Sequence, residues 1–270
     1  MTRLFLGRHV LGLAAIAFGV ISFIWHDFGA PWQQIRAFGN VPHREVFVYI
    51  VAVIEILGGI AIQWRKTART GALTLGIIYF IFALLWIPII ISEPRVYDRY
   101  GNFFEQFSIV CGALIIYFTL STSNLRRSVA LSRFAYIFFG ICVVSFALEQ
   151  LFYLSPTASF VPKWVPLGQM FWAIATTVFF ALAAIALLSG IFALLAARLV
   201  TVMIVGFQLL IWLPAPFSDP HKLMNWDGNA ENLAIAGAAW IVADYLSHNH
   251  AAVFRRAEQP KSAQVCGYSG

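Results

Sequence analysis

The sequence predicts an all-α, polytopic membrane protein of eight transmembrane helices, built as two parallel four-helix repeats with both termini cytoplasmic. Three observations carry that prediction. Of 270 residues, 60% are hydrophobic and 11% charged, with a mean hydropathy of +0.79; a soluble domain carries about 25% charged residues. Apolar runs of spanning length recur along the whole chain. One pattern also appears twice at an offset of 126, as Leu84-Leu85-Trp86-Ile87-Pro88 and Leu210-Ile211-Trp212-Leu213-Pro214.

A helix crossing the hydrocarbon core needs about 20 predominantly apolar residues. The runs fall at 9–25, 46–63, 70–92, 104–121, 132–154, 168–189, 194–214 and 231–247. The first follows Arg3 and Arg8 without a usable small-x-small cleavage site, so it reads as a retained span and not as a leader. Ser189-Gly190 is the only strong breaker between the sixth and seventh runs. The repeat places a boundary there, because the loop at 63–71, with Arg65, Lys66 and Arg69, holds the corresponding place in the first half. The same offset pairs Tyr100 with Trp226, Glu105 with Glu231 and Ala113 with Ala239. The expected units are therefore 1–127 and 128–247, followed by a polar cytoplasmic tail at 248–270.

Orientation follows from the distribution of Lys and Arg. On one side lie Arg3, Arg8, Arg65, Lys66, Arg69, Arg126, Arg127, Arg133, Arg198, Arg255, Arg256 and Lys261, or 12 of the 18; the other side holds Arg36, Arg44, Arg95, Arg99, Lys163 and Lys222. The richer side is cytoplasmic. Each four-span unit crosses an even number of times, so the two copies point the same way and are not inverted. The net charge of +6 thus reports orientation in a lipid bilayer and gives no reason to expect nucleic acid. Trp25, Trp32, Trp86, Trp164, Trp212 and Trp226 gather near the outer boundary, as an interfacial aromatic belt would.

Several chemistries are excluded. Cys111, Cys142 and Cys266 form no Cys-x-x-Cys pair, and the first two sit in apolar runs as small hydrophobes. The histidines His9, His26, His43, His221, His248 and His250 cluster at helix ends, where they cannot face each other across a bundle as haem ligands. No metal site, phosphate-cradling loop or nucleophile elbow is encoded, and no cofactor is evident.

The acids carry what chemistry remains. Glu55 falls close to mid-membrane in the second run, with Gly58 and Gly59 three and four residues on. Small residues permit close helix approach, so Glu55 should face another helix and not lipid. Two readings stand for it: a proton-handling acid, or a neutral acid acting as glue between helices. Ala181 occupies the corresponding place in the second half. Glu105 and Glu231 each open the fourth span of their unit, where a helix N-terminus favours a carboxylate; Asn102 and Glu105 have capping-box spacing. The alternative places both acids around a shared outer pocket between the repeats. Glu149-Gln150, in the outer third of the fifth run, either joins that polar layer or snorkels to the interface. Asp244 sits near the cytoplasmic end, where a surface role is expected. The ligand-binding or proton-handling candidates are therefore Glu55, Glu105, Glu149 and Glu231.

The stretch Trp226-Asp227-Gly228-Asn229-Ala230-Glu231-Asn232-Leu233-Ala234 and the Gly/Ala-rich helix after it resemble the last span of DoxX-type membrane proteins. Residues 157–166, Thr-Ala-Ser-Phe-Val-Pro-Lys-Trp-Val-Pro, resemble the family's first extracellular loop. In the first half only Glu105 and a small-residue helix remain. The resemblance implies a four-helix unit present twice, in a bacterial inner membrane. It further implies a membrane subunit of a quinone-linked oxidoreductase complex, with the redox centre on a partner subunit. The residues by themselves also allow a small-molecule transporter or lipid-binding carrier with a pocket between the repeats, lined by Glu55, Glu105 and Glu231.

Overall fold

A computed structural model describes residues 6–33, 42–121 and 125–258. Arg3, Arg36, Lys261 and Cys266 lie outside the described residues. Among those described, the regular structure is entirely helical. Eight long helices follow one another: α1 (Gly7–Trp25), α2 (Arg44–Ala61), α3 (Ala68–Ser92), α4 (Tyr97–Thr119), α5 (Leu125–Phe152), α6 (Gln169–Ser189), α7 (Ala193–Phe207) and α8 (Leu223–Glu258). Short helices at Ala30–Gln33, Leu154–Phe160 and Ala215–Ser218 lie in the connections.

Six of these helices, α1 and α3 to α7, are long and apolar enough to cross a membrane, with α7 extended to Ser218. The other two carry acids among their apolar residues, Glu45 and Glu55 in α2 and Asp227, Glu231 and Asp244 in α8. The break expected at Ser189-Gly190 is present. Gly190 takes the left-handed conformation (φ 80°) that ends many helices, and its N–H bonds the carbonyl of Ala186 at 3.1 Å.

Three helices begin seven or eight residues before their apolar runs, α5 at Leu125 and not at 132 among them, and the other two change the setting of the acids. α4 starts at Tyr97 and not at 104, and α8 starts at Leu223 and not at 231. Each takes in a polar first stretch just after a proline, Pro94 or Pro220, and hydropathy cannot see it. Glu105 and Glu231 therefore do not open their helices: each lies eight residues in, about 12 Å along the axis. Asn102 is no cap either, since its side chain donates to the carbonyl of Asp98 at 2.7 Å inside α4. α8 also runs on to Glu258, so helix occupies the first part of the expected polar tail.

Each long helix packs against the next, α8 closes the ring against α1, and α4 and α8 touch across the middle. Absent side chains permit the closest approaches. A Cβ on Gly12 would lie 2.7 Å from the Gly59 carbonyl oxygen, and one on Gly112 would lie 2.9 Å from Cα of Ala238. The outward faces are strongly apolar, with Leu57, Ile91, Leu182, Ile185 and Phe192 exposed, as suits helices solvated by lipid. Trp164 and Trp226 are exposed, as a belt requires, but Trp32 and Trp86 are buried. Trp32 instead stacks on Phe82 with ring centres 4.0 Å apart.

The repeated Trp-x-Pro motif has two outcomes. α3 continues through Pro88 to Ser92, whereas α7 widens into a π-helical turn at Gln208–Trp212 and stops at Pro214. A proline supplies no N–H to the carbonyl four residues earlier. In the second half the backbone answers with a wider bond, Leu213 N–H to Gln208 C=O at 2.7 Å, and Asn229 donates its amide to the Trp212 carbonyl.

Candidate functional site

Three acid–amide pairs occur on three helices: Glu105-Gln106 on α4, Glu149-Gln150 on α5 and Glu231-Asn232 on α8. Successive helical residues point about 100° apart, so each acid faces one way while its amide reaches another. Gln106, 1% exposed, donates Nε2–H to Glu231 Oε1 at 2.6 Å across the α4–α8 contact. Gln150 Oε1 accepts from the hydroxyls of Thr176 (3.0 Å) and Thr177 (3.2 Å) on α6. Asn232 donates to Gln208 Oε1 (2.8 Å) and to the Ile204 carbonyl (3.1 Å) on α7. Gln208 in turn donates to Asn229 at 2.5 Å.

The acids of these pairs come together. Glu105 acts electrostatically on both Glu149 and Glu231. The Glu149 carboxylate lies so close over Gly101 of α4 that a Cβ there would stand 2.3 Å from its Oε2. Asp227, buried in α8, acts on Glu231, and Asp98 at the rim acts on Glu105 and Glu149. Among the described residues, the charges acting on these three glutamates are thus other acids. Arg99, at the same rim, is engaged by Glu93 and Asp98, each at 3.0 Å.

Glu55 sits apart and deeper, eleven residues past Arg44 or about 16 Å along α2. It is 0% exposed, as the flanking Gly58 and Gly59 led one to expect of a residue facing other helices. The Tyr79 hydroxyl on α3 interacts with it, yet no hydrogen bond of normal geometry joins them, and both carboxyl oxygens are buried without one. Aromatic rings line this part of the core: Phe18 lies 6.0 Å from Tyr79 and 5.9 Å from Trp32. Asp227 acts on both Glu55 and Tyr79, and Glu231 acts on Tyr79. The four acids singled out in the sequence therefore lie in one connected region, fed by both halves of the chain.

Asp244 has a different task. It lies 13 residues beyond Glu231 in α8, about 20 Å along the axis, and accepts the Gly7 N–H of α1 at 3.2 Å, tying the first and last long helices together. His9 and His26 are likewise engaged at helix ends, with Gln63 at 2.7 Å and Tyr49 at 2.6 Å. Cys111 and Cys142 meet side by side across α4 and α5, both free thiols and both buried.

Sequence reasoning missed Gln106, Tyr79, Asp227 and Gln208. The signal for the first was available, since Gln106 and Asn232 are both amides following paired acids at the 126-residue offset. Tyr79 and Gln208 look like ordinary members of apolar runs. Among the described residues no three His, Cys, Asp or Glu side chains converge closely enough to hold a metal ion. The chemistry open to the acid region is proton exchange and hydrogen bonding to a small ligand. No family model, characterised protein or solved structure matches this chain.

Proposed function

We propose that this chain is a multi-pass carrier of eight spans, two parallel four-helix units of the DoxX type, with both termini cytoplasmic. Its acid region exchanges protons as a small molecule binds between the units. Glu105, Glu149 and Glu231 line that site, and Glu55 is the deeper acid. The observation that carries this reading is the contact of Gln106 with Glu231, around which carboxyls from both halves of the chain gather. A carboxyl held within a membrane is accommodated as the neutral acid or beside a cation, and such groups commonly mark ion and proton pathways.

Two further facts favour the duplicated unit. α4 and α8 begin 126 residues apart, and the starts of α2 and α6, and of α3 and α7, recur within one residue of that offset. The helix neighbours also keep their pattern when each long helix is exchanged for the one four places on.

Proteoliposomes with an entrapped pH dye test the function. Wild-type protein is expected to dissipate an imposed pH gradient faster than E105Q/E149Q/E231Q, and a hydrophobic carbodiimide is expected to modify at least one of the four acids. Equal gradient decay together with no carbodiimide adduct on any of them would overturn the reading. For the topology, Cys266 should react with a membrane-impermeant thiol reagent only from the cytoplasmic face of a bacterial inner membrane.

The second reading, a membrane subunit of a quinone-linked oxidoreductase complex, rests on the DoxX-like stretch from Trp226 to Ala234, which contains both Asp227 and Glu231. Copurification of a redox-active partner from native membranes supports it; recovery of this chain alone, without quinone, counts against it.

A further inference from the structure

The end of the bundle away from the acid region has the opposite electrostatics. There α1 begins, α2 gives way to α3, and α4 ends. Arg8 lies in the first turn of α1, with Arg65 and Lys66 in the turn between α2 and α3. Arg8 donates Nη2–H to the Gln63 carbonyl at 3.3 Å and Nε–H to His9 at 3.4 Å, which aims its head at that turn. It is close enough to Arg65 for the two like charges to act on each other. Arg69, one turn on, is committed elsewhere: its guanidinium lies 4.7 Å from the Tyr117 ring centre and donates to the hydroxyl.

No acid balances this group among the described residues. The ion pairs there are Arg44–Asp27, Arg99–Glu93 and Arg99–Asp98, all toward the other end. Asp244 also lies toward this end, and it is occupied by the Gly7 N–H, with His248 and Arg198 as its charged neighbours. Trp64, 62% exposed, stands immediately before Arg65. The architecture does not itself require three cations here. At the 126-residue offset, Arg8, Arg65 and Lys66 correspond to Phe134, Ile191 and Phe192, all exposed and apolar.

We propose that Arg8, Arg65 and Lys66 form a binding site for the phosphate of an anionic bilayer lipid, with Trp64 seated in the headgroup region beside it. Like charges held together by the fold become favourable when a phosphate sits between them. Basic pockets at helix ends take lipid headgroups on this principle, and an indole with one apolar and one polar edge suits the same depth. A free phosphate offers the same chemistry without the acyl chains.

The test compares the full chain in nanodiscs of phosphatidylcholine alone and with phosphatidylglycerol admixed, reading anionic lipid retained by native mass spectrometry and the thermal midpoint. R8Q/R65Q/K66Q should lose the preference for phosphatidylglycerol, by about fivefold per cation removed. R126Q/R127Q/R133Q removes equal charge from the same end and should keep it. Equal losses in both variants would mean diffuse attraction and overturn the site. Inorganic phosphate that stabilises the wild type in phosphatidylcholine discs as much as the lipid does would overturn the lipid assignment. The fold of the triple variant is checked by its midpoint in phosphatidylcholine; if it fails, R65Q and K66Q, both at exposed positions, carry the same comparison.

Discussion

Gln106 and Glu231, 125 residues apart in the chain, meet at 2.6 Å where α4 touches α8. Both helices also contact their neighbours in the ring, so this bond lies where the two halves of the chain touch through the middle. Among the described residues no matching bond forms between the residues at the 126-residue offset, Asn232 and Glu105. Asn232, which corresponds to Gln106, turns instead to Gln208, and Gln208 corresponds to Phe82. An apolar Phe82 offers Gln106 nothing to bond, so its amide goes to the acid of the other half. This one difference at the 126-residue offset thus redirects an amide and makes the centre asymmetric.

Gln106→Leu should destabilise the protein by about 1–3 kcal/mol, because it leaves the Glu231 carboxyl without its buried donor. Replacing both, as Q106L/E231L, should cost less than the sum of the single changes, since neither polar group then remains unpaired. Thermal midpoints in one detergent for the four proteins of that cycle decide it. Strict additivity would mean the bond contributes nothing.

Glu55→Met should leave the thermal midpoint unchanged or raise it. Both carboxyl oxygens are buried without a hydrogen bond, and an unpaired polar group gains nothing from burial. If the acid served as glue through Tyr79, the midpoint would fall, and Tyr79→Phe would lower it by a similar amount. Stability retained alongside slowed gradient decay would assign Glu55 to function.

How much of this was legible follows from what hydropathy records. It located the long helices and the break at Gly190, because apolar surface must face lipid or core. It placed Glu105 and Glu231 at helix starts, because the polar turns at 97–103 and 223–230 look like loop even when their backbone is helical. The inward direction of Glu55 was readable from two glycines. The company it keeps was not: Tyr79, Trp32 and Asp227 come from three other segments, and only packing brings them together. The burial of Trp86 escaped for the same reason, since a tryptophan near a helix end suits a lipid interface and a core equally well.

Gly112→Val and Gly206→Ala should have opposite effects. A side chain on Gly112 would strike Ala238 of α8, with Cα at 2.9 Å and Cβ at 3.0 Å, whereas nothing lies within 4 Å of a Cβ on Gly206. The first should cost about 1–3 kcal/mol as α4 and α8 are pushed apart. The second should be neutral or stabilising by up to about 1 kcal/mol through helix propensity. Differential scanning fluorimetry of both variants separates the outcomes. A tolerated Gly112→Val would show that the central contact is looser than its geometry implies.

Asp244→Ala should loosen the start of α1 specifically. The Asp244 carboxylate accepts the Gly7 N–H at 3.2 Å, one of the amides that the first turn of a helix cannot satisfy internally. It does so from α8, so a single side chain both caps one helix and joins the two ends of the ring. Losing such a cap costs about 1 kcal/mol, which raises local opening about fivefold. Hydrogen exchange should therefore accelerate from Gly7 to Leu11 and remain unchanged in α6. Asp244→Asn keeps an acceptor oxygen and should restore most of the protection. If alanine and asparagine behave alike, charge and not the hydrogen bond anchors α1, and Arg198 and His248, which also act on Asp244, become the groups to replace next.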